Sequence, residues 1–176
     1  LTGPRGRTPR PAGIGFMHYE CELAVVIGAQ CRAVDPSRAD EVIAGYTVAN
    51  DYAIRDYLEN YYRPNLRVKN RDRCTPIGPW LIDAADVGDP MKLRIETRVN
   101  GRITQQGSTR DMILGVRELI AYLSGFMTLN PGDVILTGTP EGVVDVGVGD
   151  LVETRIEKVG SLLNTLSADI GEGDLQ

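Results

Sequence analysis

Short apolar runs, some alternating with polar residues and some continuous, dominate the chain and predict strands more often than helices. The segment 17–28, MHYECELAVVIG, is strand-like and ends at Gly28. Asn100-Gly101 predicts a hairpin that joins strands over 93–99 and 102–106. Further strands are predicted over 46–50, 77–82, 134–138, 151–158 and 161–166. Apolar residues at helical spacing predict a helix over 116–127, and Asp35-Pro36 predicts the start of a short helix that ends near Gly45.

The order of these elements predicts the fold class. Strands outnumber helices and do not alternate with them regularly, which favours a mainly β (α+β) fold with antiparallel or mixed sheets over a doubly wound one. A chain of 176 residues predicts one domain. Residues 1–16 contain three prolines and three arginines and are predicted to be an irregular leader. We expect further residues upstream of it and a folded domain over 17–176.

Composition and charge exclude several classes of function. The chain has 19 Lys and Arg against 24 Asp and Glu, a formal charge of -5, and no long basic run, which argues against nucleic-acid binding. The longest apolar stretch, 23–28, is too short to span a membrane. The three cysteines, Cys21, Cys31 and Cys74, form no CxxC pair. That argues against a disulfide framework and suits a cytoplasmic location.

Two carboxylates lie within the first long strand. Because side chains alternate along a strand, Glu20 and Glu22 share one face, about 7 Å apart. Like charges at that distance repel each other unless solvent or a cation lies between them. A solvated outer face is one interpretation. The same face continues as Ala24 and Val26, which favours a face that enters the core.

A third carboxylate, Asp51, follows the β-rich run GYTVAN. Three carboxylates offer only oxygen ligands, which suit a hard divalent cation, Mg²⁺ or Mn²⁺. The spacing alone leaves a metal site and a solvated acidic face equally open.

Several motifs in order resemble the fumarylacetoacetate hydrolase family. They are MHYECELAVVIG, GYTVANDYAIRDY, Lys69, LTGTPEGV and GVGDLVETRIEKVGSLLN, which together span residues 17–166. The resemblance implies a mixed β-sandwich roll with short flanking helices over a catalytic domain of residues 17–176. It also implies a homodimer, or a chain paired with a homologous half.

The resemblance further implies roles for individual residues. The implied site consists of the metal ligands Glu20, Glu22 and Asp51, the catalytic residue Lys69, and the substrate-binding residues Arg55 and Thr139. Each of the last three also has a plainer interpretation. Lys69 lies in the basic run RVKNRDR, Arg55 has acidic neighbours, and Thr139 precedes a proline in a turn. For His18, the single histidine, a hydrogen bond to a neighbour is favoured over a catalytic role.

The run 53–72, AIRDYLENYYRPNLRVKNRD, is similar to family members of 4-hydroxyphenylacetate (homoprotocatechuate) catabolism. It implies metal-dependent decarboxylation of 5-oxopent-3-ene-1,2,5-tricarboxylate and isomerisation of 2-hydroxyhepta-2,4-diene-1,7-dioate, through a dienolate common to both steps beside the cation. Lys69, desolvated next to the cation, is expected to have a lowered pKa and to move a proton.

Two alternatives to this function remain open. The first is an acylpyruvate-type C–C hydrolase or a hydratase. An upstream lid with a His–Glu pair, which many relatives carry, would favour hydrolysis. The second is a catalytically silent structural half of a larger protein, which a metal-content measurement separates from an enzyme.

Overall fold

The computed structural model describes residues 1–58 and 65–169. Residues 59–64, in the tyrosine-rich part of the run 53–72, and residues 170–176, at the end of the predicted domain, lie outside the described residues.

The described strands are β1 (Arg7–Arg10), β2 (Met17–His18), β3 (Cys21–Ile27), β4 (Ile43–Asn50), β5 (Ala53–Ile54), β6 (Ile77–Asp83), β7 (Arg94–Val99), β8 (Arg102–Ser108), β9 (Val134–Leu136), β10 (Leu151–Ile156) and β11 (Gly160–Ala168). The described α-helices are α1 (Leu66–Lys69), α2 (Ala84–Val87) and α3 (Val116–Phe126). Short 3-10 helices cover Pro36–Val42, Arg55–Tyr57, Pro90–Lys92 and Thr109–Asp111.

Two larger sheets form the body of the fold. One has the strand order β1-β11-β10-β7-β8 and the other β6-β4-β3-β9, while β2 and β5 form a small separate pair. Leu23 and Val25 of β3 belong to the same buried cluster as Ile95 of β7 and Leu162 of β11. The apolar faces of the two sheets therefore meet in a common core. The expectation of a mainly β sandwich with short flanking helices is confirmed.

The predicted leader is not irregular throughout. Arg7–Arg10 form β1, which pairs in parallel with Thr165–Ala168 at the edge of the larger sheet. Pro9 is compatible with this position because an edge strand leaves one row of backbone groups without ladder partners. The pairing segment lies more than 150 residues along the chain, so the local Pro-rich pattern gave no sign of it.

The first predicted helix also differs from the prediction. Asp35 caps the helix by accepting the Ser37 N–H, but the chain forms 3-10 turns over Pro36–Val42 and enters β4 at Ile43 rather than after Gly45. Ile43 pairs with Ile27, so the ladder with β3 determines where the helix ends.

The predicted helix over 116–127 is α3, which ends one residue earlier than predicted, at Phe126. Val116 and Ile120 are buried, whereas Phe126 at the end of the apolar stripe is exposed. Of the helices in the described part of the chain, none has the length and apolarity that crossing a bilayer requires.

We expect Thr8→Val to lower the free energy of unfolding. Thr8 is buried on β1, and its hydroxyl donates to the Arg73 carbonyl oxygen at 3.0 Å and accepts from Asn164 Nδ2 at 3.4 Å. Valine keeps the shape but leaves the Arg73 carbonyl oxygen and one Asn164 N–H without these partners, a loss of about 1–3 kcal/mol that urea unfolding measures. The exposed Thr128→Val is the matched control and should change little. Equal effects at both positions would show that β1 is not anchored through Thr8.

Candidate metal centre

Three carboxylates converge at one end of the β3–β4 pair. One oxygen from each of Glu20, Glu22 and Asp51 lies within 4.8 Å of the others. Glu20 and Glu22 are buried, with 5% and 3% of their surface exposed. An exposed acidic face is therefore excluded for these two residues. An oxygen-only donor set of this size fits a hard divalent cation.

The register of the two strands explains this convergence. Cys21 of β3 pairs with Asn50 of β4, and Glu22 pairs with Ala49. Glu20 and Asp51 are thus the next opposed pair, and the Asp51 N–H donates to the Glu20 carbonyl oxygen at 3.0 Å. This single antiparallel register brings the three carboxylates together, because the alternation of side chains places them on the same face of the sheet.

The predicted strand over 17–28 breaks immediately before this site. β2 ends at His18 and β3 begins at Cys21, and the Glu20 N–H donates to Asn50 Oδ1 at 2.9 Å. Asn50 is fully buried, and its Nδ2 donates to Thr154 Oγ1 at 3.0 Å. A side-chain amide on β4 thus holds the Glu20 backbone where the ladder is interrupted.

Lys69, at the end of α1, lies between two of the carboxylates. Its Nζ donates to Glu20 Oε2 at 2.6 Å and to Asp51 Oδ2 at 2.8 Å. Burial lowers the pKa of Lys69. The hydrogen bonds and negative charges of the two carboxylates together raise it by more than burial lowers it, so the net pKa is above the usual value for lysine. Without a cation Lys69 is therefore an ammonium, and the lowered pKa expected for Lys69 beside the cation stays a prediction.

Glu22 has a different set of contacts from Glu20. Its Oε2 accepts the Gly138 N–H at 2.6 Å, while burial and then the charges of Glu20 and Asp51 raise its pKa to about 7. The Gly138 hydrogen bond and the Lys69 charge oppose this rise. Without a cation, an appreciable fraction of Glu22 is therefore protonated at neutral pH.

Arg55 contacts the same carboxylate cluster from the other side. Its Nη2 donates to Glu20 Oε1 at 3.2 Å, and its Nε donates to His18 Nε2 at 2.8 Å. The other His18 nitrogen, Nδ1, lies 3.0 Å from the Tyr19 carbonyl oxygen, which only accepts. His18 is therefore a neutral imidazole with its proton on Nδ1, and burial lowers its pKa. His18 positions Arg55, in line with the interpretation of a hydrogen bond to a neighbour.

Thr139 lies in the loop that follows β9 and reaches the carboxylates through its neighbour. Thr137 fixes this loop, since its N–H and its hydroxyl both donate to the Leu23 carbonyl oxygen. Gly138 has a φ of +94°, a conformation that glycine adopts without strain, and this directs its N–H to Glu22. Thr139 Oγ1 accepts a hydrogen bond from Gln105 Nε2 at 3.0 Å.

Gln105 and Asn50, which hold site residues from the buried side, were not predicted from the sequence. Their signal in the sequence is weak, because an isolated amide on a strand is ordinary until its partners are known. A cavity of about 640 Å³ is lined by the Thr139 loop and by apolar residues such as Met112 and Leu119, but by none of the three carboxylates.

The chain belongs to the fumarylacetoacetate hydrolase family. The family model described as "Fumarylacetoacetate (FAA) hydrolase C-terminal" matches residues 1–167. This confirms the resemblance found in the sequence.

One curated relative is the 4-hydroxyphenylacetate degradation bifunctional isomerase/decarboxylase of Salmonella dublin. It is 58% identical over 157 residues, which are 89% of this chain and 37% of that protein. The chain thus spans well under half the length of this relative.

Solved structures share the fold at high similarity. The 2-hydroxyhepta-2,4-diene-1,7-dioate isomerase from Mycobacterium marinum has a TM-score of 0.88 and 38% identity, covering 95% of this chain and 65% of that one. The fumarylpyruvate hydrolase from Pseudomonas aeruginosa, in complex with Mn²⁺ and pyruvate, has a TM-score of 0.88 and 34% identity, covering 95% and 73%.

We expect Glu22→Gln to stabilise the protein in chelator at about pH 8. Because the pKa of Glu22 is raised from 4.5 to about 7 on folding, its ionisation destabilises the folded state progressively between about pH 4.5 and 7 and fully above pH 7. An amide removes that charge while still accepting the Gly138 N–H. The expected gain is about 3 kcal/mol at pH 8, and most of it is lost near pH 5, where Glu22 is protonated in the folded protein.

Guanidinium unfolding at the two pH values measures this difference. Glu41→Gln is the matched control, because Glu41 is exposed and its hydrogen bond to Arg38 lowers its pKa. Its effect should be small and opposite in sign. A Glu22→Gln effect that does not change with pH would contradict the assigned electrostatics.

Proposed function

We propose that the chain is the catalytic domain of a divalent-metal-dependent decarboxylase and isomerase. Its proposed substrates are 5-oxopent-3-ene-1,2,5-tricarboxylate for decarboxylation and 2-hydroxyhepta-2,4-diene-1,7-dioate for isomerisation, in 4-hydroxyphenylacetate breakdown. The observation that carries the proposal is the buried carboxylate cluster with Lys69 between two of its members. The 58% identity to a bifunctional isomerase/decarboxylase supports it.

The proposed cofactor is Mg²⁺ or Mn²⁺, held by Glu20, Glu22 and Asp51. When bound, the cation supplies Lewis-acid stabilisation of negative charge that develops on a 2-oxo acid. Mn²⁺ and pyruvate in the related fumarylpyruvate hydrolase support this cofactor class.

The charges of the chain's own residues suit a polyanionic substrate. Lys69 and Arg55 are one charge short of neutralising the three carboxylates when all are ionised, and a divalent cation turns the balance positive. Arg55 is 43% exposed at its side chain, so that part of its guanidinium remains available for a substrate carboxylate. The Lys69 ammonium donates a hydrogen bond to Glu20 at 2.6 Å, and we propose it as the group that transfers a proton to or from the substrate.

A C–C hydrolase remains the second candidate. The 34% identity to fumarylpyruvate hydrolase favours it, but the 58% identity to an isomerase/decarboxylase is higher. A silent structural half is disfavoured because it would have no reason to keep three mutually repelling carboxylates, whose repulsion adds to burial in raising the pKa of Glu22 to about 7.

The free cysteines support the proposed location, and exposed apolar residues support the proposed assembly. The three cysteines are free, which suits a reducing cytoplasm. We propose a homodimer, or pairing with a homologous half, because Ile113, Tyr122 and Phe126 are exposed apolar residues on and before α3. Light scattering after gel filtration distinguishes a monomer from a dimer.

We expect CO₂ release from the tricarboxylate to require added Mg²⁺ or Mn²⁺. Chelator should abolish the reaction, and returning the cation should restore it. Pyruvate formed from an acylpyruvate, without CO₂ release from the tricarboxylate, would support the hydrolase instead. Stoichiometric metal binding without turnover of either substrate would contradict both enzymatic proposals.

We expect Lys69→Met to lower the decarboxylation rate by roughly ten- to a hundredfold, since a buried charged hydrogen bond to the substrate would be lost. The affinity for Mn²⁺ should not fall, because the ammonium competes with the cation for Glu20 and Asp51. Lys92→Met is the matched control, as Lys92 is 67% exposed and pairs with Asp89. Near-normal decarboxylation by Lys69→Met would show that Lys69 has no catalytic role and is only a member of the basic run RVKNRDR.

A further inference from the structure

The orientation of the Gln105 amide is fixed by its surroundings. Gln105 lies on β8 with 2% of its surface exposed. One end of its amide is 2.6 Å from the Pro140 carbonyl oxygen and 3.0 Å from Thr139 Oγ1. A carbonyl oxygen only accepts, so this end is Nε2 and donates both of its hydrogens to the Thr139 loop.

The opposite end of the amide is committed as well. Gln105 Oε1 lies 3.0 Å from Thr97 Oγ1 of β7, and an amide oxygen accepts, so the Thr97 hydroxyl donates. Thr97 is fully buried. The direction of the hydrogen bonds therefore runs from Thr97 through Gln105 to Thr139.

This direction leaves the Thr139 hydroxyl with a proton to donate. Thr139 Oγ1 already accepts from Gln105, and within residues 1–58 and 65–169 its own proton has no acceptor. Accepting one hydrogen bond polarises a hydroxyl and strengthens it as a donor. Thr139 is partly exposed, and the N–H of the adjacent Gly138 donates to Glu22.

We propose that Gln105 is a positioning residue that makes Thr139 a dedicated hydrogen-bond donor to a substrate carboxylate. The proposal rests on the proposed function, because it requires a carboxylate substrate beside the cluster. It assigns a specificity role to a buried side chain that does not contact the substrate. The site then favours an anionic acceptor at Thr139 over an amide or another neutral group of the same size.

The central variant of the test is Gln105→Glu. An ionised glutamate only accepts, so at a pH high enough to ionise this buried carboxyl it would take the Thr139 proton instead of donating to the hydroxyl. In the presence of Mn²⁺, we expect pyruvate to bind roughly ten- to a hundredfold more weakly to this variant. Pyruvamide, which has no charged carboxylate, should be affected less. The Mn²⁺ affinity measured without pyruvate should change little.

A double-mutant cycle separates positioning from a general loss of structure. If Gln105 acts through the Thr139 proton, Thr139→Val should weaken pyruvate binding similarly, and adding Gln105→Glu to it should weaken binding no further. Thr139→Ser keeps the hydroxyl and should restore binding. Gln105→Met leaves the proton in place but removes its polarising partner. This variant should give a smaller loss, and it replaces Gln105→Glu in the cycle if the latter does not fold.

Gln106→Glu is the matched control, because Gln106 is the exposed neighbour on β8 and donates to Glu96. Two results would contradict the role of Gln105 while leaving the proposed function intact. One is that the losses in the cycle are additive, and the other is that Gln105→Glu weakens pyruvate binding no more than Gln106→Glu does. If the wild-type protein with Mn²⁺ neither binds pyruvate nor releases CO₂ from the tricarboxylate, the proposed function fails, and the role of Gln105 fails with it.

Discussion

Three carboxylates held close together, two of them buried and Asp51 partly buried, are the constraint on which the site depends. Their mutual repulsion must be offset by positive charge or by hydrogen-bond donors. In this chain Lys69, Arg55 and the Gly138 N–H supply that compensation. Each comes from a different element, namely the end of α1, a 3-10 turn and the loop after β9. The surrounding connections therefore serve to bring these donors to one end of the β3–β4 pair.

A second layer of neutral groups fixes the charged ones. His18 accepts from Arg55 because its proton is committed to the Tyr19 carbonyl, and Asn50 holds the Glu20 backbone where the strand is interrupted. Gln105 holds the Thr139 loop in the same way. Because buried amides and a neutral imidazole bring no additional charge, they restrict geometry without adding to the electrostatic imbalance.

Local pattern was sufficient to place the carboxylates, while their role as metal ligands and the roles of Lys69, Arg55 and Thr139 were implied only by the family resemblance. Strand alternation placed Glu20 and Glu22 on one face, and Asp51 was expected at the end of the next strand. The hairpin at Asn100-Gly101 also follows from two residues, whose positive φ values match the turn that they predict. These features depend on neighbours within a few positions, which is the range over which backbone preferences act.

Features that depend on distant partners were not predictable in this way. β1 exists because β11 lies beside it, and Gln105 matters because Pro140 and Thr139 lie opposite. The direction of the Lys69 pKa depended on two hydrogen bonds at 2.6 and 2.8 Å, which reverse the effect of burial. In each case the deciding contact spans a large separation in sequence or a distance that spacing does not specify.

We propose that Glu20, Glu22 and Asp51 form one cation site with Lys69 at its edge. The most direct measurement is a crystal structure of the protein soaked in Mn²⁺, with an anomalous difference map collected near the manganese edge. The account predicts a single strong peak per chain, ligated by oxygens of Glu20, Glu22 and Asp51. A map without a peak between these side chains, or with the main peak at another place on the protein, would contradict it.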